Sequence, residues 1–145
     1  MKKIRFVFLL CGAYFINGCA TVNVPIDSTP LSTDKSTLII YSYRKEGRCG
    51  SNCVNAPLSG SVLVDGNLVG QVNPKQPLKT AVSPGKHDIY IETTEDKING
   101  VSTLEFHAGE VYFMRTWVEI VIDSMFNNFF TLKIEQTEKI SGYEF

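Results

Sequence analysis

The pattern that most constrains this fold is a series of short runs in which apolar and polar residues alternate. In the run from Lys86 to Thr93, for example, His87, Ile89 and Ile91 occupy every second position. A period of two places successive side chains on opposite faces of a β-strand. Eight segments predict strands on this ground or through their branched and aromatic residues: 38–43, 61–64, 68–72, 78–82, 86–93, 101–107, 111–118 and 130–135.

Turn residues separate these runs at regular intervals. Asp65-Gly66 lies between two apolar runs, and this pair favours tight hairpin turns whose residues need a positive φ. Ser83-Pro84-Gly85 and Ala108-Gly109-Glu110 mark further turns. Seven or eight short strands without a long helical run predict an all-β fold, an antiparallel β-sandwich, with a β-barrel as the alternative. A short helix between Val121 and Asn128 is an additional alternative.

Composition and charge narrow the classes of function. The chain has 145 residues, of which 43% are hydrophobic and 20% charged, as is typical of one globular domain. Lys2, Lys3 and Arg5 are three of the 14 basic residues, which leaves 11 basic residues against 15 acidic ones. An acidic domain lacks the positive charge that nucleic-acid phosphates attract. We therefore predict no nucleic-acid partner, and no cofactor, because no phosphate-binding or dinucleotide motif is present.

The first 18 residues predict a signal peptide that is cleaved off. Three basic residues precede Phe6 to Ile16, an apolar run of eleven residues. A helix that spans a bilayer needs roughly 20 apolar residues, so this run fits the hydrophobic region of a secretory signal. The alternative is a buried N-terminal helix of the domain, which the charge pattern disfavours.

The segment Ile16-Asn17-Gly18-Cys19 resembles the lipobox of bacterial lipoproteins. The resemblance implies cleavage before Cys19 and acylation of this residue, for example by palmitate, so that N-terminal lipid holds the protein at the membrane. Two or three acyl chains anchor a protein stably, at ~0.8 kcal/mol for each buried methylene. Ala20 implies the periplasmic face of the outer membrane, with the inner membrane and the cell surface as alternatives. Another alternative is an unmodified thiol beside an ordinary cleavage site.

The residues that follow Cys19 are rich in Thr, Ser, Pro and Asp and show no sustained apolar period. This composition predicts a flexible tether. Its alternative is an irregular first strand, because Val22 and Val24 alternate with polar residues. The predicted organisation is a cleaved signal peptide in residues 1–18, a lipidated tether in residues 19–36 and a β-sandwich domain in residues 37–145.

The order of several strand and turn motifs is similar to that in a family of small bacterial lipoproteins with a domain of unknown function. More distantly, it resembles PEGA-type β-sandwich domains. The resemblance covers roughly Thr37 to Phe145. It implies the fold and the attachment to a membrane through lipid. It implies no active site, because its motifs form turns and strands. These motifs are YSYR (Tyr41 to Arg44), VLVDGNLVG (Val62 to Gly70), VSPGKH (Val82 to His87) and AGEVYFMR (Ala108 to Arg115).

The cysteines and histidines are candidates for chemistry. Cys49 and Cys53 share a glycine-rich loop, and an oxidising exported compartment favours a disulfide between them. A redox or metal pair is the alternative, which three intervening residues and the lack of a second Cys or His pair disfavour. His87 and His107 lack a neighbouring Cys, Ser or carboxylate pattern, so we interpret both as ordinary surface or half-buried histidines. We predict no metal site.

Aromatic residues near the end of the chain provide a candidate binding surface. If the segment from Met125 to Phe130 is a loop, Phe126 and Phe129 are exposed and form an apolar patch for a partner; the alternative is that these aromatic residues belong to the core. No catalytic residue is predicted, since Ser59-Gly60-Ser61 lacks the Gly-x-Ser-x-Gly elbow of hydrolases. We predict a non-enzymatic binding or structural module of the cell envelope, with an envelope protein as its partner. The alternatives are an accessory lipoprotein of a secretion or surface assembly, and an envelope hydrolase or hydrolase inhibitor.

Overall fold

The computed structural model describes residues 23–43, 53–93, 99–122, 128–138 and 142–144. Within these ranges, no helix is long and apolar enough to cross a bilayer. The described residues form eleven strands: β1 (Asn23–Pro25), β2 (Ser36–Ser42), β3 (Cys53–Ala56), β4 (Gly60–Val64), β5 (Asn67–Val72), β6 (Leu78–Val82), β7 (Gly85–Thr93), β8 (Asn99–Phe106), β9 (Val111–Ile122), β10 (Asn128–Thr137) and β11 (Gly142–Glu144).

Two sheets make up the sandwich. The five-stranded sheet has the order β10-β9-β2-β6, with β3 also paired to β9, and the four-stranded sheet has the order β5-β4-β7-β8. A further ladder joins β1 to β11. The predicted all-β sandwich is confirmed, and its described pairs are antiparallel except for β2 and β9, which run parallel.

The burial of β2 on both faces has a physical basis in its sequence. All seven residues of β2 are buried. A strand covered on both faces has no solvent side, so its sequence reads as a nearly continuous apolar run instead of a strict alternation. The segment Leu38-Ile39-Ile40-Tyr41 is such a run. β2 is therefore the central strand of the molecule.

The main core lies between the two sheets, where alternate residues of the facing strands meet. The predicted alternation in β7 is confirmed, because Ile89 and Ile91 are fully buried while Tyr90 and Glu92 are exposed. The core residues are Leu38, Ile40, Leu58, Val62, Val64, Val72, Val82, Ile89, Ile91, Phe106, Tyr112, Met114, Val118 and Leu132. Burial of apolar area at roughly 25 cal/mol per Å² makes this cluster the main source of stability.

The turn between β4 and β5 confirms the hairpin predicted from Asp65-Gly66. Asp65 has a φ of 50° and Gly66 a φ of 79°. Two consecutive residues with positive φ are what a two-residue type I′ turn requires, and its twist matches that of the strands it joins. This hairpin positions the Asp65 carboxylate at one end of the sandwich.

The N-terminal segment packs on the outer face of the five-stranded sheet. Val24 and Ile26 are buried there against Ile39, Tyr41 and Phe113. The described part of the predicted tether, residues 23–36, therefore contains a first strand packed on the domain, which was the alternative interpretation. Apolar side chains at positions 24 and 26 explain the difference, since alternation over so few residues is a weak signal.

An ion pair fixes the same segment to the edge of the sheet. The Lys79 ammonium lies 2.7 Å from an Asp27 carboxylate oxygen. This hydrogen bond, together with those from Thr29, holds the pKa of the Asp27 carboxyl well below its usual range.

All eight predicted strands are present, as β2 and as β4 to β10. The sequence did not predict β3 or β11. Residues 1–18, Cys19 and the proposed helical segment around residues 123–127 lie outside the described residues.

Candidate functional site

The outer face of the four-stranded sheet carries a row of apolar side chains that crosses all four strands. Leu68 of β5 pairs with Leu63 of β4, which in turn pairs with Tyr90 of β7. Tyr90 then pairs with Val101 of β8. Leu68, Tyr90 and Val101 are 66%, 36% and 59% exposed. Since adjacent strands lie about 4.8 Å apart, these four residues, the apolar row, extend roughly 14 Å across the sheet.

The same alternation that fills the core turns this row outward. Val62 and Val64 flank Leu63 along β4, and both are buried. Because successive side chains of a strand point to opposite faces, Leu63 must point away from the core. Its cross-strand partners share its face, as directly opposed residues do in antiparallel sheets.

Polar and acidic side chains border the apolar row. On one side, Thr103 donates a 2.6 Å hydrogen bond from its hydroxyl to the Asp88 carboxylate. On the other side, Ser61 pairs with Glu92. An apolar centre with a polar border is the usual anatomy of a protein-binding patch. The acidic border favours a partner surface that carries basic residues.

A second cluster lies at the end of the sandwich where the Asp65-Gly66 turn meets the β6–β7 connection. His87 Nδ1 lies 2.5 Å from Asp65 Oδ2. His87 Nε2 lies 3.0 Å from the Ser83 carbonyl oxygen and 3.3 Å from the Ser83 hydroxyl. The imidazole ring also packs on Phe106, with 5.9 Å between ring centroids.

The contacts of His87 resemble those of a hydrolase triad in residue type, but the geometry indicates a structural link. Both ring nitrogens face oxygen acceptors, the Asp65 carboxylate and the Ser83 carbonyl. His87 Nε2 lies closer to the Ser83 carbonyl oxygen than to the Ser83 hydroxyl, whereas a general base must be directed at the hydroxyl whose proton it takes. His87 therefore links the β4–β5 turn to the β6–β7 connection.

Asp65 is held in its ionised form by the same contacts. The hydrogen bond with His87 and the one donated by the Asp88 backbone N–H keep the pKa of the Asp65 carboxyl below its usual 3.8. The backbone of Asp65 also donates a 2.9 Å hydrogen bond to the Asp88 carbonyl. A shallow depression of about 230 Å³ lies beside this cluster, lined by Val64, Asp65, Asn67, Val69, Ala81, Val82, Ser83 and His87.

A third cluster lies on the outer face of the five-stranded sheet. The Arg115 guanidinium lies 5.3 Å from the Tyr43 ring centroid and 5.7 Å from that of Trp117. It also pairs with Glu135, at 2.8 Å. Because its charge is already engaged by two rings and a carboxylate, we assign Arg115 a structural role.

Of the predicted site residues, Cys53 is the one whose side chain the structure describes, and it lies on the five-stranded sheet, apart from the apolar row. Cys53 opens β3 and is buried, whereas Cys49 lies outside the described residues, so their disulfide stays a prediction. Phe126 also lies outside them, and Phe129 is described only through its backbone pairing with Val121. The patch predicted at Phe126 and Phe129 therefore stays a prediction as well.

The histidines occupy different environments. His107 is exposed. Its backbone N–H donates a hydrogen bond to the Tyr112 hydroxyl, and its carbonyl accepts one from the Ser36 hydroxyl. His87 is half-buried, as expected, yet it has a carboxylate neighbour that its own sequence segment does not show. Across the described ranges, no group of three or more His, Cys, Asp or Glu side chains could hold a metal ion.

Comparisons with protein-family models, with curated proteins and with solved structures find no match to this chain. The apolar row was missed because it depends on the register between four strands. The individual strands gave weak signals for it, because Val101 and Tyr90 alternate with the core-facing residues along β8 and β7.

Proposed function

We propose that this protein is a membrane-anchored lipoprotein of the bacterial cell envelope that acts by binding and not by catalysis. Its partner is an envelope protein that docks on the outer face of the four-stranded sheet. The apolar row formed by Leu63, Leu68, Tyr90 and Val101 carries this proposal.

The physical argument is the free energy of covering the apolar row. Apolar area removed from water contributes roughly 25 cal/mol per Å². A stable interface buries at least about 1,000 Å² in total, so the row would form the centre of a larger contact. Asp88 and Glu92 at its border favour a partner with Lys or Arg around an apolar centre.

The membrane anchor rests on the lipobox-like segment that ends at Cys19. The resemblance to small bacterial lipoproteins supports it, and Ala20 supports the periplasmic face of the outer membrane. Mass spectrometry of the protein from its own envelope tests the anchor: we expect a mature N-terminus at Cys19 that carries acyl chains. In the Cys19→Ser variant, the protein should leave the membrane fraction. An intact Met1, or an N-terminus without lipid, contradicts the anchor.

Site-specific photo-crosslinking in living cells tests the docking face. A photoreactive amino acid at Tyr90 of the full chain should give one discrete adduct with an envelope protein. The adduct should disappear when Leu68 and Val101 are both changed to Ser, because the partner then loses its apolar contact on either side of the probe.

The matched control is Leu31→Ser, which also removes an exposed apolar side chain but lies away from the row. This variant should keep the adduct. If Tyr90 gives no adduct, or if the double variant keeps it, the docking proposal is wrong. A partner that belongs to a large membrane complex identifies the accessory-lipoprotein alternative.

The Asp65, His87 and Ser83 cluster is the observation that favours the hydrolase alternative. The Ser83→Ala variant and the native protein can be compared on purified cell-wall fragments. We expect no turnover from either, since His87 Nε2 lies closer to the Ser83 carbonyl oxygen than to the Ser83 hydroxyl. Turnover that the native protein shows and the variant lacks would establish the hydrolase.

We also propose the disulfide between Cys49 and Cys53, which the oxidising envelope supports. Peptide mapping without reduction should find the two cysteines in one linked fragment. Separate peptides with free thiols contradict it.

A further inference from the structure

We propose that one end of the five-stranded sheet contacts the lipid bilayer beside the acyl anchor. This end consists of Val54 of β3, Ile120 and Val121 of β9 and Phe130 of β10, and we call it the apolar end. The proposal rests on the lipid anchor at Cys19 proposed above and adds how the domain is oriented on the membrane.

The apolar end presents apolar side chains on both faces of the sheet. Val54 and Phe130 are both register partners of Ile120, so these three share one face. Ile120 packs against the main core, which shows that this face is the one turned toward the four-stranded sheet. Even so, Val54 is 52% and Phe130 38% exposed, because the four-stranded sheet does not cover them. Val121, on the opposite face, is 40% exposed.

The apolar end is also free of charge. Beyond Glu119 on β9 and before Lys133 on β10, no residue in the described parts of these strands is charged, and β3 has no charged residue. Glu119 and Lys133 pair with each other at 3.4 Å. Contiguous apolar surface of this kind marks a protein or a membrane contact.

The path of the N-terminal segment decides between a membrane and a protein. Leu31 donates its backbone N–H to the Thr37 hydroxyl at the start of β2, and Asp27 pairs with Lys79, the register partner of Ile39. Val24, further back in the chain, packs in the same cluster as Ile39, Tyr41 and Phe113. The N-terminal segment therefore lies antiparallel to β2, so that its earlier residues lie nearer the C-terminal end of β2.

That direction leads to the apolar end. β9 runs parallel to β2, with Tyr41 opposite Arg115, and it ends at Ile122. From the level of Arg115 to that of Val121 is roughly 20 Å along the strand. Four residues from Cys19 through Val22 precede β1, and an extended chain of that length reaches about 14 Å. A chain of that length is therefore long enough to bring the acyl chains close to the apolar end.

Two weak membrane contacts at one end reinforce each other. A peripheral apolar surface enters the boundary between headgroups and acyl chains by about 5–10 Å, and stable attachment generally combines two such signals. The apolar row on the four-stranded sheet would then stand to the side of the membrane, where a partner can reach it.

Quenching of tryptophan fluorescence by brominated acyl chains tests the orientation. The acylated full chain is reconstituted into phosphatidylethanolamine and phosphatidylglycerol vesicles that contain brominated lipid. The probe variant is Phe130→Trp, with Val54→Trp as a second probe should the first fail to fold. The control is Leu31→Trp, an exposed position near the opposite end of β9, which lies roughly 33 Å from the apolar end along the strand. Trp117 is common to all variants.

We expect brominated lipid to remove a larger fraction of the emission from Phe130→Trp and Val54→Trp than from Leu31→Trp. If the acylated protein sediments with the vesicles but probes and control lose the same fraction of their emission, the proposed orientation is wrong and the lipid anchor is still supported. The apolar end would then face water or a protein. Protein without acyl chains that stays in solution overturns the anchor itself.

Discussion

The outer faces of the two sheets differ in what lies on them. The five-stranded sheet has Ile39, Tyr41 and Phe113 on its outer face, and the N-terminal segment buries all three. The four-stranded sheet carries a comparable set of apolar side chains on its outer face, and the described part of the chain leaves them exposed. Similar side chains thus serve stability on one sheet and are available for binding on the other.

The largest expected effect separates these two faces directly. Ile39→Ala removes a buried side chain and should lower the free energy of unfolding by about 2–5 kcal/mol. Tyr90→Ala, on the uncovered face, should change it by less than about 0.5 kcal/mol. Urea unfolding followed by circular dichroism measures both. Equal losses in the two variants would show that the outer face of the four-stranded sheet is also covered.

A smaller effect is expected from a buried hydroxyl of the five-stranded sheet. The Ser42 hydroxyl accepts a 2.7 Å hydrogen bond from the Leu58 backbone N–H in a buried setting. Ser42→Ala leaves that N–H without its acceptor and should cost about 1–3 kcal/mol in the same unfolding assay. Ser61→Ala, at the border of the apolar row, is the matched control and should cost little.

In the four-stranded sheet, a substitution on the face turned toward the core should lower the stability of the fold, even though substitutions on the outer face should not. A Cβ at Gly60 would lie 2.7 Å from the Glu92 carbonyl oxygen and 3.2 Å from a methyl group of Ile91. Gly60→Ala should therefore push β4 and β7 apart and cost about 1–3 kcal/mol. A melting temperature equal to that of the native protein would mean that the sheet shifts without cost.

The smallest effect concerns pH. The pKa of Asp65 is lowered on folding, so the unfolded chain binds its proton more readily, and acid favours unfolding. The stability due to Asp65 should be complete above its usual pKa of 3.8 and decline as the pH falls through the lowered value. Melting temperatures at about pH 6 and about pH 3 should differ less for Asp65→Asn than for the native protein. The same difference in both proteins would contradict the link between Asp65 and His87.

Local signals predicted most of the fold. Alternation, or a run of branched and aromatic residues, identified eight of the strands, and Asp65-Gly66 identified a hairpin, because these signals depend only on neighbouring residues. Strand β3 was missed, since Cys53-Val54-Asn55-Ala56 is too short and too mixed to show a period. The parallel pairing of β2 with β9 was missed as well, because a buried run does not indicate the direction of its neighbour.

The candidate site was much harder to predict because it depends on contacts between distant segments. The apolar row combines residues from four strands, and no one of them carries more than a single member. His87 and Asp65 are 22 positions apart and meet only because two turns lie at the same end of the sandwich. Composition and sequence motifs do not predict such contacts, because strand register and topology bring the distant residues together.

The parallel pairing of β2 and β9 also bears on how the protein reaches its folded state. Thr37 pairs with Val111, 74 positions later in the chain. Contacts between such distant residues are slow to form, because a long loop must close before they contribute any free energy. During synthesis from the N-terminus, β2 is made as an apolar strand long before β9 is present to pair with its edge. A chain of this design depends on protection from aggregation during that interval.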